Sequence, residues 1–289
     1  MPEKTPHVLN VIAENAEAFA RELRSIGEPI WLAEGRVFDI RVGNDTAVLS
    51  RAREIADSRP VDINLIPIAN RRKSLLVADM DSTIIGCECL DELADMAGLK
   101  PKVAAITERA MRGEIEFAPA LRERVALLKG LALSALQRVY DERVRLNPGA
   151  KALLATMRAH GAKTLLVSGG FTFFTKRVAA AAGFESEQAN VLLDDGATLS
   201  GLVGEPILGR EAKLEALEDA ARANGLDFID TLAVGDGAND LAMIGRAGLG
   251  VAYHAKPVVA AAASARIDHG DLTALLYLQG YREDEIVAV

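Results

Sequence analysis

The sequence predicts an α/β protein: a Rossmann-like doubly wound parallel sheet with an inserted helical cap, preceded by a small ferredoxin-like α+β domain. Three observations carry this reading. Short apolar runs at 75–78, 163–167 and 231–234 have the length and composition of strands buried on both faces. Helical patterns at 150–160, 172–182 and 211–224 alternate with them, and such alternation builds a parallel sheet. Residues 89–144 break the alternation with an almost wholly helical pattern, as an insertion after the first sheet strand would.

From the N-terminus, residues 7–13 form an extended run, 16–26 an amphipathic helix, and 30–33 and 36–42 two strands around the turn Glu34-Gly35. A second round follows: a helix over 46–56, capped by Asn44 or Asp45, and an alternating strand over 61–66. This β-α-β-β-α-β order accounts for a domain of residues 1–70, too small to hold a catalytic cleft by itself. Asn70-Arg71-Arg72-Lys73 reads as a basic, solvated joint, and residues 71–289 form the larger domain. Its cap, about 86–147, is punctuated by Gly98, Pro101, Gly113, Pro119 and Gly130 and hinged near Gly86 and near Asn147-Pro148-Gly149. Gly161, Gly183 and Gly225 stand where helix C-termini favour a left-handed residue. The Ala-rich run 258–265 reads as a helix.

A chain of 289 residues has room for about two domains of ~150 residues. With 50% hydrophobic and 26% charged residues it lies well away from the composition of disorder. A net charge of −8 provides no field to attract nucleic acid or anionic lipid, so a small-molecule partner is expected. Cys87 and Cys89 are too few for a disulfide framework and lack the neighbours of a zinc site, so they read as reduced small hydrophobes. Residues 1–6 contain no apolar h-region, and no run approaches the ~18 apolar residues of a membrane span. The expected location is cytoplasmic.

The three strands end in polar residues that a parallel sheet would bring to one rim, where open α/β sheets bind their ligands. The first ends Asp79-Met80-Asp81-Ser82-Thr83, with two carboxylates two apart. Ser168-Gly169-Gly170 closes the second, a hydroxyl and glycines leading into a helix whose free N–H groups suit an anion. The third ends Gly235-Asp236-Gly237-Ala238-Asn239-Asp240, with Asp236 and Asp240 on one helical face. Lys213 adds a cation. Carboxylates gathered in this way repel one another unless a cation joins them, and hard oxygen donors point to Mg²⁺. A carboxylate beside such an ion can attack phosphorus, and a second carboxyl can protonate the leaving alkoxide and later deprotonate water. Singly, each motif also reads as turn chemistry or a solvated surface charge; their joint occurrence at strand ends carries the argument.

Leu75-Leu76-Val77-Ala78-Asp79-Met80-Asp81-Ser82-Thr83, Val167-Ser168-Gly169-Gly170, Lys213 and Val234-Gly235-Asp236-Gly237-Ala238-Asn239-Asp240 resemble, in order, the four motifs of haloacid dehalogenase-like hydrolases. From about Ser74 onward the similarity is to the branch that hydrolyses O-phospho-L-serine; the cap carries Phe117, then Leu121-Arg122-Glu123-Arg124-Val125 and Leu127-Leu128-Lys129-Gly130. The resemblance implies a Mg²⁺-dependent phosphomonoesterase releasing L-serine and phosphate, the closing step of serine synthesis. It implies Asp79 as nucleophile and Asp81 as general acid and base. It places Mg²⁺ on Asp79, the backbone carbonyl of Asp81, and Asp236, with Asp240 in support. Ser168, Gly169 and Lys213 would hold the phosphoryl group, with Asn239 lining the same pocket. Glu88 would meet the ammonium and Arg124 the carboxylate of the substrate, and Phe117 would seal the pocket.

Two other readings stay open. One passes the phosphoryl group to another alcohol, as a phosphotransferase does. The other treats the chain as an amino-acid-sensing regulatory protein, because its N-terminal layer resembles ACT-type regulatory domains, although it lacks their usual glycine-rich effector loop. Whether an amino-acid effector binds that layer, and whether the chain forms a homodimer, is not legible in the residues.

Overall fold

The computed structural model describes residues 6–111 and 114–289. Gly113, one of the expected cap breaks, and residues 1–5, part of the stretch without an apolar h-region, lie outside them. Among the described residues no helix is long and apolar enough to cross a membrane.

The N-terminal domain runs β1 (His7–Ile12), α1 (Glu17–Glu22), β2 (Pro29–Ala33), β3 (Val37–Val42), α2 (Thr46–Ala56) and β4 (Asp62–Pro67). Its sheet has the order β2-β3-β1-β4, with β1 antiparallel to both neighbours, so the expected ferredoxin-like layer is formed. Asp45, rather than Asn44, caps α2 by accepting the Ala47 N–H at 3.0 Å. Leu9, Val11, Phe38, Ile40 and Ile63 form a core beneath the two helices. The opposite face is also covered: Val8 and Ile66 join the main core of the larger domain. Five of the six β1 residues are therefore buried, and the strand does not alternate.

The joint at 70–73 departs from the solvated expectation. Arg72 is exposed, but Arg71 turns inward onto Asp39 and donates to the Tyr277 carbonyl at 3.1 Å, while Lys73 is buried with its ammonium on the Asn70 and Ile229 carbonyls at 2.6 Å each. Each cation meets carbonyls or a carboxylate that burial would otherwise leave unsatisfied. The two domains are thus joined through polar contacts as well as apolar ones.

The larger domain starts with β5 (Leu75–Asp79). The cap follows as α3 (Cys89–Met96), α4 (Lys100–Met111), α5 (Phe117–Ala126) and α6 (Leu133–Arg143). Its two linkers lie side by side: Ile85 bridges Leu146, Gly86 N–H donates to Arg145 at 3.2 Å, and Asn147 N–H donates to Ile84 at 2.9 Å. The body then continues with α7 (Ala150–Ala159), β6 (Lys163–Phe171), α8 (Thr172–Ala182), β7 (Ser186–Asn190) and the hairpin β8 (Leu192–Asp194) and β9 (Leu199–Val203). It ends α9 (Arg210–Ala223), β10 (Thr231–Gly235), α10 (Leu241–Arg246), β11 (Leu249–Tyr253), α11 (Pro257–Ala262), β12 (Ala265–Ile267) and α12 (Ala274–Leu278).

Six of these strands form a sheet in the order β12-β11-β10-β5-β6-β7, and every pairing is parallel. The connections run one way from β5 through β6 to β7 and the other way from β10 to β12, so the order reverses between β5 and β10. That switch point is where a crevice opens beyond the strand ends. The β8–β9 hairpin was not anticipated from sequence. It holds the cap, since Gly130 N–H donates to Leu199 and Leu199 N–H to Leu131, both at 2.8 Å. The helix expected over 258–265 stops at Ala262, because Ala265 pairs with Val251 at the sheet edge. Ladder pairing there overrides the strong intrinsic helix propensity of alanine, as tertiary context routinely does.

Candidate active site

At the C-terminal end of β5 the chain leaves the core at Asp79 and folds into one irregular turn, Met80–Ile84, closed by Ile85 N–H on the Met80 carbonyl at 3.0 Å. Ser82 takes a left-handed conformation there (φ +57°), unusual for a non-glycine residue. The turn sends Asp79 and Asp81 to the rim by different routes.

Asp79 accepts the Met80 N–H at 2.8 Å and lies 2.6 Å from the Lys213 ammonium. Lys213 comes from the first turn of α9, is 1% exposed, and bridges Asp79 Oδ1 and Asp240 Oδ1, each at 2.6 Å. Asp240, fully buried, accepts Gly237 N–H at 2.9 Å with its other oxygen. Gly235 is required here, because a Cβ at that position would collide with the Asp240 carboxyl. Asp81 instead accepts Cys89 N–H at 2.9 Å and the Ser168 hydroxyl at 3.1 Å, touching both the start of the cap and the end of β6. Ser168 Oγ in turn accepts Gly170 N–H at 2.8 Å.

These positions perturb the carboxyls. Burial, then the neighbouring Asp240, pushes Asp79 well above the usual carboxylate range, against the pull of Lys213. Asp236 is pushed up to about 6 by burial, then by Asp240 and Glu88. Asp81 also rises to about 6 through burial and the charge of Glu88, with the Cys89 and Ser168 donors opposing. Lys213 loses by burial but is held above its ordinary value by Asp79 and Asp240. One ammonium therefore faces an excess of carboxylates. Oxygens of Asp79, Asp236 and Asp240 all lie within 4.8 Å of one another. An all-oxygen acidic cluster with surplus negative charge fits a hard divalent cation.

Above the cluster is a cavity of about 290 Å³ between body and cap. Asp79, Asp81, Asp236 and Asn239 line its floor; Glu88, Phe117 and Arg124 line it from the cap. Ser168 and Gly169 form a wall, and a Cβ on Gly169 would sit 3.2 Å from the Phe117 ring, so glycine lets the ring come down over the loop. Glu88 accepts the Ser82 hydroxyl at 2.7 Å. Burial lowers the Arg124 pKa, while Asp91 and Glu88 oppose that shift.

All eleven residues singled out from sequence meet in one place. Lys213 and Asp240 lie behind Asp79 rather than on the cavity wall. Sequence reasoning did not mark Asp91, Thr107 and Lys256, which also line the cavity. It also missed Asn190, whose buried amide donates to the Gly169 carbonyl at 2.9 Å and accepts Leu208 N–H at 2.7 Å, tying the β6 loop to the approach to α9. A buried asparagine at a strand end was its only signal.

A family profile described as haloacid dehalogenase-like hydrolase matches residues 76–245. The chain is 49% identical over 209 residues to a phosphoserine phosphatase of Polaromonas sp., covering 71% of this chain and 89% of that protein. Among solved structures, a HAD family hydrolase from Salmonella enterica serovar Typhi superposes with a TM-score of 0.88 at 28% identity, covering 98% of this chain and all (100%) of that one. A probable phosphoserine phosphatase from Vibrio cholerae, in unliganded form, gives 0.81 at 30% identity, covering 98% and 88%.

Proposed function

The chain belongs to the haloacid dehalogenase-like hydrolases and, within them, to the phosphoserine phosphatases, and from that premise we propose that it hydrolyses O-phospho-L-serine through an aspartyl phosphate on Asp79 with the help of Mg²⁺. The observation that carries this reading is the convergence of Asp79, Asp81 and a three-carboxylate cluster beneath a cavity that also holds Glu88 and Arg124.

In this mechanism an Asp79 oxygen attacks phosphorus and the bond from phosphorus to the serine oxygen breaks. Asp81 donates its proton to the departing alkoxide, and its carboxyl, raised to about 6, can carry that proton near neutral pH. The resulting carboxylate then takes a proton from water, the water oxygen bonds to phosphorus, and Asp79 is restored as phosphate leaves. Ser168, the Gly169 N–H and Asn239 hold phosphoryl oxygens, while Lys213 balances Asp79 from behind. Asp79, the Asp81 carbonyl and Asp236 would hold Mg²⁺, with Asp240 in support; the ion supplies positive charge where the phosphoryl oxygens gather negative charge. Glu88 pairs with the substrate ammonium and Arg124, a planar fork, with its carboxylate.

Such a reaction closes serine synthesis, and a cytoplasmic enzyme suits it. The test is phosphate release from O-phospho-L-serine with Mg²⁺, with and without a chelator, for wild type and Asp79→Asn. Release that depends on the metal and falls by about 10³-fold or more in the variant is expected. Normal turnover in Asp79→Asn would refute the reading. Adding alcohols as acceptors should give no new phosphate ester.

A further inference from the structure

One carboxylate on the cavity wall has no part in the mechanism above. Asp91 stands three residues after Glu88, which is the N-cap of α3, so the two acids share the face of that first turn which lines the cavity. Among the described residues the Asp91 side chain makes no hydrogen bond or ion pair. Arg124 approaches from α5, and among the described residues the one hydrogen bond of its side chain runs from Nε to the Ala120 carbonyl at 3.3 Å, leaving its terminal amines for a ligand. Burial acts against the guanidinium charge, and the largest effect opposing burial comes from Asp91, ahead of Glu88.

We propose that Asp91 is a specificity-determining residue, acting through the net charge of the head-group subsite that it lines with Glu88 and Arg124, so that the pocket favours phosphate esters whose head group carries an ammonium. The inference rests on the reading that the amino and carboxyl groups of phosphoserine lie between Glu88 and Arg124. Two carboxylates against one guanidinium leave the subsite with one surplus negative charge. A head group with both ammonium and carboxylate keeps that balance; one with an ammonium alone neutralises it. A head group with a carboxylate alone adds a second uncompensated charge beside Glu88 and Asp91, which is costly. Glu88 and Arg124 by themselves would be neutral and would not discriminate in this way.

The test compares kcat/KM for O-phosphoethanolamine, which has only the ammonium, with that for 2-phosphoglycolate, which has only the carboxylate. It uses full-length wild type, Asp91→Asn and Asp91→Glu, with Mg²⁺ present. In Asp91→Asn the ratio of the two should fall by about tenfold, through KM values moving in opposite directions, up for the amine and down for the acid. Asp91→Glu should keep the wild-type ratio, and Asp91→Ser provides a second neutral variant should the asparagine protein fail to fold. General structural damage would raise both KM values together. That result, or an unchanged ratio in a folded neutral variant, would overturn the inference. Wild-type protein inactive on phosphoserine would overturn the parent reading and this inference with it.

Discussion

Lys213 shows how one residue sets the charge balance of the site. Its ammonium is the nearest counter-charge to both Asp79 and Asp240, and all three are almost wholly buried. Replacing it by methionine leaves two carboxylates facing each other out of water. We expect Lys213→Met to lose about 3–5 kcal/mol of stability in the metal-free protein, measured by denaturant unfolding, and to lose activity as well. Arg124→Ala should raise KM for phosphoserine by roughly 10- to 150-fold, the equivalent of a charge-assisted contact of about 1.5–3 kcal/mol, with a much smaller effect on kcat. Steady-state kinetics checks this, and an unchanged KM contradicts the assigned role. Residues such as Asp79 and Asp236 were legible in the sequence because their motifs occur together at strand ends, where neither carboxylate alone would have been diagnostic. Asp91 was not, since an acid in the first turn of a helix already has a reason, the helix dipole.

Elements bring these residues together, and the cap shows where sequence patterns stop being informative. Its helices were visible as an interruption of strand–helix alternation, and its linkers as Gly86 and Asn147-Pro148-Gly149. The β8–β9 hairpin that fastens to it was missed: its strands are three and five residues long, and the Asp195-Gly196 turn joining them is a weak signal without knowledge of the cap surface they cover. Lys256 was missed for a related reason, as β11 contains Gly250 and lacks a sharp boundary, so the loop after it was not marked as part of the rim. At the interface of cap and body, Gly169 must stay small for Phe117 to lie over the β6 loop. Gly169→Val should therefore reduce kcat/KM for phosphoserine by about tenfold or more, because a displacement near 1 Å at a reacting group costs up to ~10² in rate. Activity at the wild-type level would show that the ring does not need to close on that loop.

At the scale of the whole molecule, the N-terminal layer keeps its own core and packs Val8 and Ile66 into that of the larger domain, and the charge stored at the sheet switch point makes stability depend on pH. The folded carboxyls of Asp81 and Asp236 titrate near 6, whereas an unfolded aspartate titrates near ~3.9. Between those values the folded protein binds more protons than the unfolded one, so the contribution of these groups to stability is present below about pH 4 and is lost as pH rises through about 6. Metal-free protein should accordingly melt at a lower temperature at pH 7 than at pH 5. Added Mg²⁺ should raise the melting temperature more at pH 7, where it need not displace protons. Equal increments at both pH values would contradict the picture of mutually repelling acids. The sheet, the cap and the N-terminal layer were all legible from periodicity and strand ends, but the docking of one domain on the other was not. Arg71, Asp39 and Lys73 look like surface charges until the partner carbonyls of α12 and the Phe228–Asp230 turn are in view. The most direct test of the central claim is to quench turnover of ³²P-labelled phosphoserine in acid and map the label. The account predicts an acid-stable, hydroxylamine-labile phosphoryl group on the peptide containing Asp79; turnover with no such label, or with label on another residue, would contradict it.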